Sequence, residues 1–232
     1  MKKCLFLIAG LAYCLGINAQ NAQNAQNARN APDSIFRNYL YDSRTSYFRQ
    51  LPVKKGAFIF FGDSITHWGD WSEFTGYAFA LNRGIAGDNT YGLVNRVDEV
   101  TRHSPRKVFI LVGTNDINIH IPLAKSLENY DKLVLAIRRE SPSTEIYIQS
   151  ILPVNNELIN RAYYTGTNEA IRQMNQSLDS LARKLHVVYV DLYTQFLDPS
   201  GQMDAAYTYD GLHLTGAGYL HWIGILKNSK FL

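Results

Sequence analysis

Short apolar runs alternate with amphipathic stretches from Ser34 to the end of this 232-residue chain. Five of the runs are typical of β-strands, and they cover residues 57–61, 78–82, 108–112, 146–148 and 187–190. The first and third runs are apolar at nearly every position, which indicates strands buried on both faces. Strands that alternate with helical patterns predict a parallel sheet, so the expected fold class is α/β.

The stretches between the strands place apolar residues at helical spacing. Three such helix faces consist of Leu93, Val94, Val97 and Val100, of Leu127, Tyr130, Val134 and Ile137, and of Ile171, Met174, Leu178, Leu181 and Leu185. The third helix has a capping sequence at residues 167–169, and a last helix is expected after Thr215. We interpret the periodic residues as core.

The first 33 residues fall outside this pattern. A basic start and a short apolar core end at a small residue, Ala19, so residues 1–19 are predicted to be a secretory signal peptide and the protein to be exported. The apolar core is too short to indicate a membrane span. Residues 20–33 are rich in Asn, Ala and Gln and are predicted to form a disordered spacer before a folded domain at 34–232.

Removal of the signal changes two other interpretations. Cys4 and Cys14 both lie in it, so the mature chain would have no disulfide and no cysteine-bound metal. A lipid on Cys14 stays open as an alternative, although Tyr13 stands where lipid-bearing cysteines usually have a small residue. Without Lys2 and Lys3, 21 basic residues face 20 acidic ones. That balance does not indicate nucleic acid or an anionic membrane as a partner.

Polar segments follow four of the predicted strands. They are Gly62-Asp63-Ser64 after the first, residues 84–89 after the second, residues 113–116 after the third, and Asp210 with His213 after the fifth. In an open parallel sheet, ligands bind beyond the carboxyl ends of the strands. The four segments are therefore expected to meet at one edge of the sheet.

These segments contain the residue types of a serine esterase. A serine hydroxyl needs a base to take its proton and an acid to orient that base, and Ser64, His213 and Asp210 are the candidates. The short spacing lets the carboxylate of Asp210 reach the imidazole. The backbone amides of Ser64 and Gly87 and the side chain of Asn115 are the predicted oxyanion donors.

Other chemistries find less support. The Gly-x-Ser-x-Gly elbow of α/β hydrolases is absent, as are a phosphate-binding Gly-x-x-x-x-Gly-Lys loop and a zinc-binding His-Glu-x-x-His helix. A glycoside hydrolase would need two opposed acids. Asp63, Asp88, Asp116 and Asp210 are available, but each belongs to one of the esterase-like segments.

The four segments, in this order, resemble the GDSL esterases and lipases, or SGNH hydrolases. The residues that give SGNH hydrolases their name match Ser64, Gly87, Asn115 and His213, and Asp210 matches the family's Asp-x-x-His block. The stretches 84–90 and 212–219 are similar to the branch that contains platelet-activating-factor acetylhydrolase. The resemblance implies a flavodoxin-like three-layer α/β/α sandwich with a five-stranded parallel sheet. It also implies hydrolysis of esters without a metal or organic cofactor.

The expected substrate follows from the predicted export and from the family branch that the sequence resembles. An exported enzyme with a polar tether meets extracellular polymers, so removal of short O-acetyl groups from carbohydrates is expected. Tyr163 and Tyr164 are predicted to form a wall of the pocket, with plain loop packing as the alternative. A lysophospholipase, short-chain lipase or thioesterase is the second hypothesis and would need a long apolar groove. A non-catalytic carbohydrate-binding protein is the third, although such proteins typically lose the serine or histidine. The sequence fixes neither the acyl chain length nor the oligomeric state.

Overall fold

The computed structural model describes residues 35–232, in which five strands form one parallel sheet. The strands are β1 (Phe58–Gly62), β2 (Ala80–Gly84), β3 (Lys107–Leu111), β4 (Glu145–Gln149) and β5 (Val188–Val190). Their order across the sheet is β2-β1-β3-β4-β5, with every neighbouring pair parallel. The predicted α/β class and parallel sheet are confirmed. The predicted signal (1–19) and spacer (20–33) lie outside the described residues.

Nine α-helices accompany the sheet in the described part of the chain. They are α1 (Tyr39–Gln50), α2 (Ser64–His67), α3 (Trp71–Thr75), α4 (Thr90–Asn95), α5 (Val97–Thr101), α6 (Thr114–Asn118), α7 (Leu123–Glu140), α8 (Asn168–Leu185) and α9 (Gly216–Asn228). The hydroxyls of Thr167 and Thr215 cap α8 and α9, at the predicted starts of these helices. None of the helices in residues 35–232 is long and apolar enough to cross a membrane.

The two faces of the sheet pack against different partners. One face presents aliphatic side chains such as Ile59 and Val108 to α4, α5, α7 and α8. The other face presents a row of aromatic rings, in which Phe60 stacks on Phe109 and Phe109 on Tyr147, with centroid distances of 4.8 and 4.7 Å. Side chains from α3 and α9 cover this second face. The result is a three-layer α/β/α arrangement with its polar loops at the carboxyl edge.

The segment predicted as one helix face through residues 93–100 is divided in two. The backbone of Arg96 departs from helical values, with φ −122° and ψ 18°, between α4 and α5. Leu93 and Val100 are nevertheless buried in the aliphatic layer, as their spacing predicted. The division places the Arg96 side chain inside the protein, where it is 1% exposed.

Candidate active site

Ser64, His213 and Asp210 form a hydrogen-bonded row at the carboxyl edge of the sheet. Ser64 begins α2 directly after β1, and His213 lies in the loop before α9. The His213 Nε2 atom is 3.0 Å from Ser64 Oγ, and Nδ1 is 2.7 Å from Asp210 Oδ2. The structure therefore brings Ser64 into contact with His213, which lies 149 positions later in the sequence, and close to Asp210, which lies 146 positions later.

The environment of Asp210 favours its ionised form. Burial acts against ionisation, but hydrogen bonds from the His213 ring and from the backbone N–H groups of His213 and Leu212 outweigh it, so the pKa of Asp210 lies below its usual value. An ionised carboxylate can only accept a hydrogen bond, so Nδ1 of His213 carries the proton. The Nε2 lone pair then faces the Ser64 hydroxyl, an arrangement able to take its proton.

Aromatic side chains fix the short helix that starts at Ser64. The Trp71 indole Nε1 donates to the carbonyl of Thr66 at 2.9 Å, and the Tyr219 hydroxyl donates to the carbonyl of Ile65 at 2.7 Å. Both rings are buried in the aromatic layer. The first turn of α2 is thus held by the polar groups of two buried aromatic side chains, which restricts the position of the Ser64 hydroxyl.

The loop that carries His213 depends on a glycine and on a neighbouring loop. Gly211 has φ +86°, and a Cβ there would stand 2.5 Å from the Ile159 nitrogen and 2.8 Å from the Asn155 carbonyl oxygen. The Asn155 N–H donates to the Gly211 carbonyl at 2.9 Å, and the Thr208 hydroxyl donates to the His213 carbonyl at 2.7 Å. Only glycine combines this conformation with this approach. Sequence reasoning did not single out Asn155 or Thr208.

A hydrogen bond joins the segments of the two other predicted oxyanion donors, Gly87 and Asn115. Gly87 adopts φ +80° in the turn after β2, and no atom stands within 4 Å of where its Cβ would be. Asn115, in α6, donates its side-chain amide to the carbonyl of Asp88 at 2.8 Å. An amide nitrogen has two protons, so the second remains for another acceptor. This contact ties Asn115 to the residue that follows Gly87, and their joint role as oxyanion donors stays a prediction.

Each predicted oxyanion donor has a buried carboxyl group next to it in the chain. Burial raises the pKa of Asp63 to about 8 and that of Asp88 to about 6, the latter opposed by Arg96, whose Nε is 2.8 Å from Asp88 Oδ2. Burial also raises the pKa of Asp116, which accepts hydrogen bonds from Thr90 and Ser126 that oppose the rise. Sequence reasoning missed Arg96. The available signal was that Arg96 falls on the apolar face of the predicted helix, three positions after Leu93 and four before Val100.

The two tyrosines predicted to line the pocket differ in position. Tyr163 is 67% exposed. Tyr164 is 1% exposed, and its hydroxyl lies 3.1 Å from that of Thr114. The Tyr164 ring belongs to the aliphatic core, which favours the alternative of plain loop packing over a pocket wall for this residue. Adjacent loop residues point in opposite directions here, and a loop without periodicity gives no indication of which one is buried.

Comparison with known proteins gives consistent matches. Residues 60–220 match the family described as GDSL-like Lipase/Acylhydrolase. Human platelet-activating factor acetylhydrolase IB subunit alpha2 is 26% identical over 178 residues, 72% of each chain. The GDSL esterase/lipase CPRD49 of Arabidopsis thaliana is 25% identical over 187 residues, 69% of this chain and 73% of that one. A Streptococcus pneumonia structure, provisionally described as a platelet activating factor, is 32% identical with a TM-score of 0.76, and the match covers 90% of this chain and 98% of that chain.

Proposed function

Because the chain belongs to the GDSL-like lipase/acylhydrolase family, an ester-hydrolysing family with the SGNH fold, we propose that it works as a serine esterase through Ser64, His213 and Asp210. The observation that carries this proposal is the continuous row of hydrogen bonds from Asp210 through the imidazole to the Ser64 hydroxyl, at 2.7 and 3.0 Å. In this row the serine is the nucleophile, the histidine the general base, and the aspartate holds the imidazole.

The proposed reaction has two halves. Ser64 Oγ attacks the ester carbonyl carbon while its proton passes to His213 Nε2, and the amides of Ser64 and Gly87 with the Asn115 side chain hold the oxyanion. Collapse of the tetrahedral intermediate breaks the bond to the alcohol, which leaves with the proton from His213. A water molecule then repeats the sequence on the acyl-serine and releases the carboxylic acid. Asp210 stays ionised throughout.

The first experiment removes the nucleophile. Ser64→Ala is expected to lower kcat on p-nitrophenyl acetate by about 10⁴-fold or more, because the acyl-serine cannot form. Ser43→Ala is the matched control, since this serine is exposed on α1, and it should leave kcat unchanged. Circular dichroism of both variants should match the parent protein. Retention of activity in Ser64→Ala contradicts the proposal.

We further propose that the substrates are short-chain, chiefly O-acetyl, esters on carbohydrates. The similarity to proteins named acetylhydrolases supports a short acyl group. Exposed aromatic rings around the site support a sugar as the alcohol: Trp68 follows α2, Tyr209 lies nearly parallel to the His213 ring at 6.1 Å, and Tyr163 is on the adjoining loop. Such rings have apolar faces that can pack on a sugar and polar edges that tolerate water.

A lipid ester is the second candidate. It is favoured by the same relatives, whose name refers to platelet-activating factor. Rates on acetylated xylo-oligosaccharides, on p-nitrophenyl esters from C2 to C8 and on a 2-acetyl phospholipid would separate the candidates. Tyr209→Ala should raise KM for the acetylated sugar without changing KM for p-nitrophenyl acetate. A preference for C8 esters or for the phospholipid would support the lipid candidate instead.

Export is part of the proposal. Its support is the basic and apolar start of the chain with a small residue at position 19. Sequencing the amino terminus of the protein from its native cells tests it. A terminus near residue 20 outside the cytoplasm is expected, a lipid-modified terminus at Cys14 would support the lipoprotein alternative, and an intact Met1 would contradict export.

A further inference from the structure

A buried arginine connects two of the three segments that supply a proposed oxyanion donor, and it reaches the third, α6, only through Asp88. The Arg96 guanidinium donates through Nε to Asp88 Oδ2 at 2.8 Å, through Nη1 to the Arg83 carbonyl at 2.8 Å, and through Nη2 to the Gly62 carbonyl at 3.0 Å. The side chain is 1% exposed and lies over the Phe61 ring, 4.6 Å from its centroid. One planar group therefore joins the end of β1, the end of β2 and the turn after β2.

Each of these contacts lies close in the chain to a proposed donor. Gly62 precedes Ser64 by two positions, and Asp88 directly follows Gly87. The carbonyl of Asp88 also accepts the Asn115 side-chain amide, at 2.8 Å. The position of Asp88 thus bears on two donors at once, and the ion pair with Arg96 fixes the side chain of Asp88.

We propose that Arg96 is a positioning residue that, through Asp88 and the Gly62 carbonyl, holds the donors of Ser64, Gly87 and Asn115 in register for the oxyanion. This inference rests on the proposed esterase function. A guanidinium suits the task because its donors lie in one rigid plane, whereas a lysine ammonium is a single point of attachment. Three carbonyl or carboxylate acceptors on separate segments are held at fixed relative positions only by the planar group.

A second buried ion pair provides a matched control. Arg83 Nε donates to Glu99 Oε2 at 2.7 Å, and the two side chains are 4% and 1% exposed. The Arg83 guanidinium otherwise contacts the carbonyl of Asn82 and the rings of His103 and Phe48, and none of these groups contacts a proposed donor. The Arg83 carbonyl that accepts from Arg96 is main chain and is kept when the side chain is replaced. Both arginines can be replaced by lysine with a similar loss of buried hydrogen bonds.

The test compares Arg96→Lys with Arg83→Lys on p-nitrophenyl acetate, well below the unfolding temperature of both. We expect Arg96→Lys to lower kcat about 10–100-fold with KM changed less than about threefold, because misplaced donors weaken transition-state binding selectively. Its affinity for a boronic acid, whose tetrahedral adduct carries an oxyanion, should fall by a similar factor. Arg83→Lys should lower the unfolding temperature while keeping both parameters within about twofold.

Asp88→Asn is the second variant, because it keeps the side-chain volume if Arg96→Lys does not fold. It should show the same fall in kcat and in boronic acid affinity. Equal losses in the Arg96 and Arg83 variants, a loss confined to stability, or a change in KM alone would overturn the positioning role. The esterase proposal would still stand in those cases, because Ser64→Ala tests it separately.

Discussion

Around Ser64, apart from the reacting Asp210 carboxylate, neutral hydrogen bonds support one side of the site, and buried charges support the other. The acid–base side, defined here as α2 with the loop 208–213, is held by the Tyr219 and Thr208 hydroxyls and by the backbone contact between Asn155 and Gly211. The oxyanion side, defined as the turn 84–89 with α6, is held by the Asp88–Arg96 pair and by the Asp116 carboxylate.

Because their supports differ, the two sides should respond to different changes, one to steric substitutions and the other also to pH. These neutral hydrogen bonds and the close backbone approach do not depend on protonation, so the supports of the acid–base side, apart from the reacting pair Asp210 and His213, should respond mainly to steric changes. Buried carboxyl groups with raised pKa values change charge within the ordinary pH range, so the oxyanion side should respond to pH as well. Substitutions on each side test this contrast.

The largest effect is expected from Gly211→Ala on the acid–base side. The added methyl group would stand 2.5 Å from the Ile159 nitrogen, so the loop must move and carry His213 with it. We expect kcat on p-nitrophenyl acetate to fall about 100-fold, as for other misplacements of a reacting group by about 1 Å.

Gly201→Ala controls for the backbone conformation alone. Gly201 has φ +84°, close to that of Gly211, but no atom lies within 4 Å of its Cβ position. Both variants should lose about 1–2 kcal/mol of unfolding free energy because alanine must adopt the left-handed conformation. Only Gly211→Ala should also lower kcat. Comparable activity in the two would show that the close approach does not position His213.

A smaller effect is expected when a single neutral hydrogen bond is removed. Tyr219→Phe deletes the donor to the Ile65 carbonyl and leaves the ring in place, so kcat should fall about three- to tenfold and the unfolding free energy by about 1 kcal/mol. Tyr147→Phe is the control, because its hydroxyl bonds Glu145 at the far end of the sheet. That variant should keep kcat, and a similar fall in both would assign the effect to general loss of stability.

The sequence was sufficient for the features that depend on periodicity. The apolar runs at residues 57–61 and 108–112 predicted the central strands to within one residue, and the strand ends predicted where Ser64 and His213 would lie. Helix α1 was not predicted, because it buries only Tyr41, Thr45 and Phe48 in twelve residues and its apolar pattern is weak. Tertiary packing rather than local pattern decides whether such a segment is helical.

The supports of the site could not be predicted for a different reason. Arg96 interrupts a helix and pairs with Asp88 in the interior, and neither fact follows from local spacing. Likewise, the contact of Gly211 with Asn155 and Ile159 joins loops more than fifty positions apart. The residues proposed to react were visible in the motifs, whereas the residues that position them act through contacts that only the folded chain brings about.

The smallest effect on activity is expected at Asp63, which lies between the two sides. Its Oδ1 accepts the Ile65 N–H at 3.0 Å, and within residues 35–232 its buried Oδ2 has no hydrogen-bond partner. Burial, with the nearby Asp88 and Asp116 carboxyls, raises the pKa of Asp63 to about 8 from an ordinary 3.8. The folded state therefore keeps a proton that the unfolded chain loses above about pH 4.

This raised pKa gives the stability a defined pH dependence. The contribution of the Asp63 proton is fully present below about pH 4 and is lost as the pH rises through about 8, at about 1.4 kcal/mol per pH unit for one proton. Asp63→Asn mimics the protonated carboxyl and does not titrate, so its unfolding free energy should gain on that of the parent protein between pH 5 and pH 8. Urea unfolding at both values measures this gain. Asp70→Asn is the control, because Asp70 is exposed, and it should show no such gain. If the unfolding free energies of Asp63→Asn and the parent protein differed by the same amount at both pH values, Asp63 would be ionised in the folded protein, which would contradict this prediction.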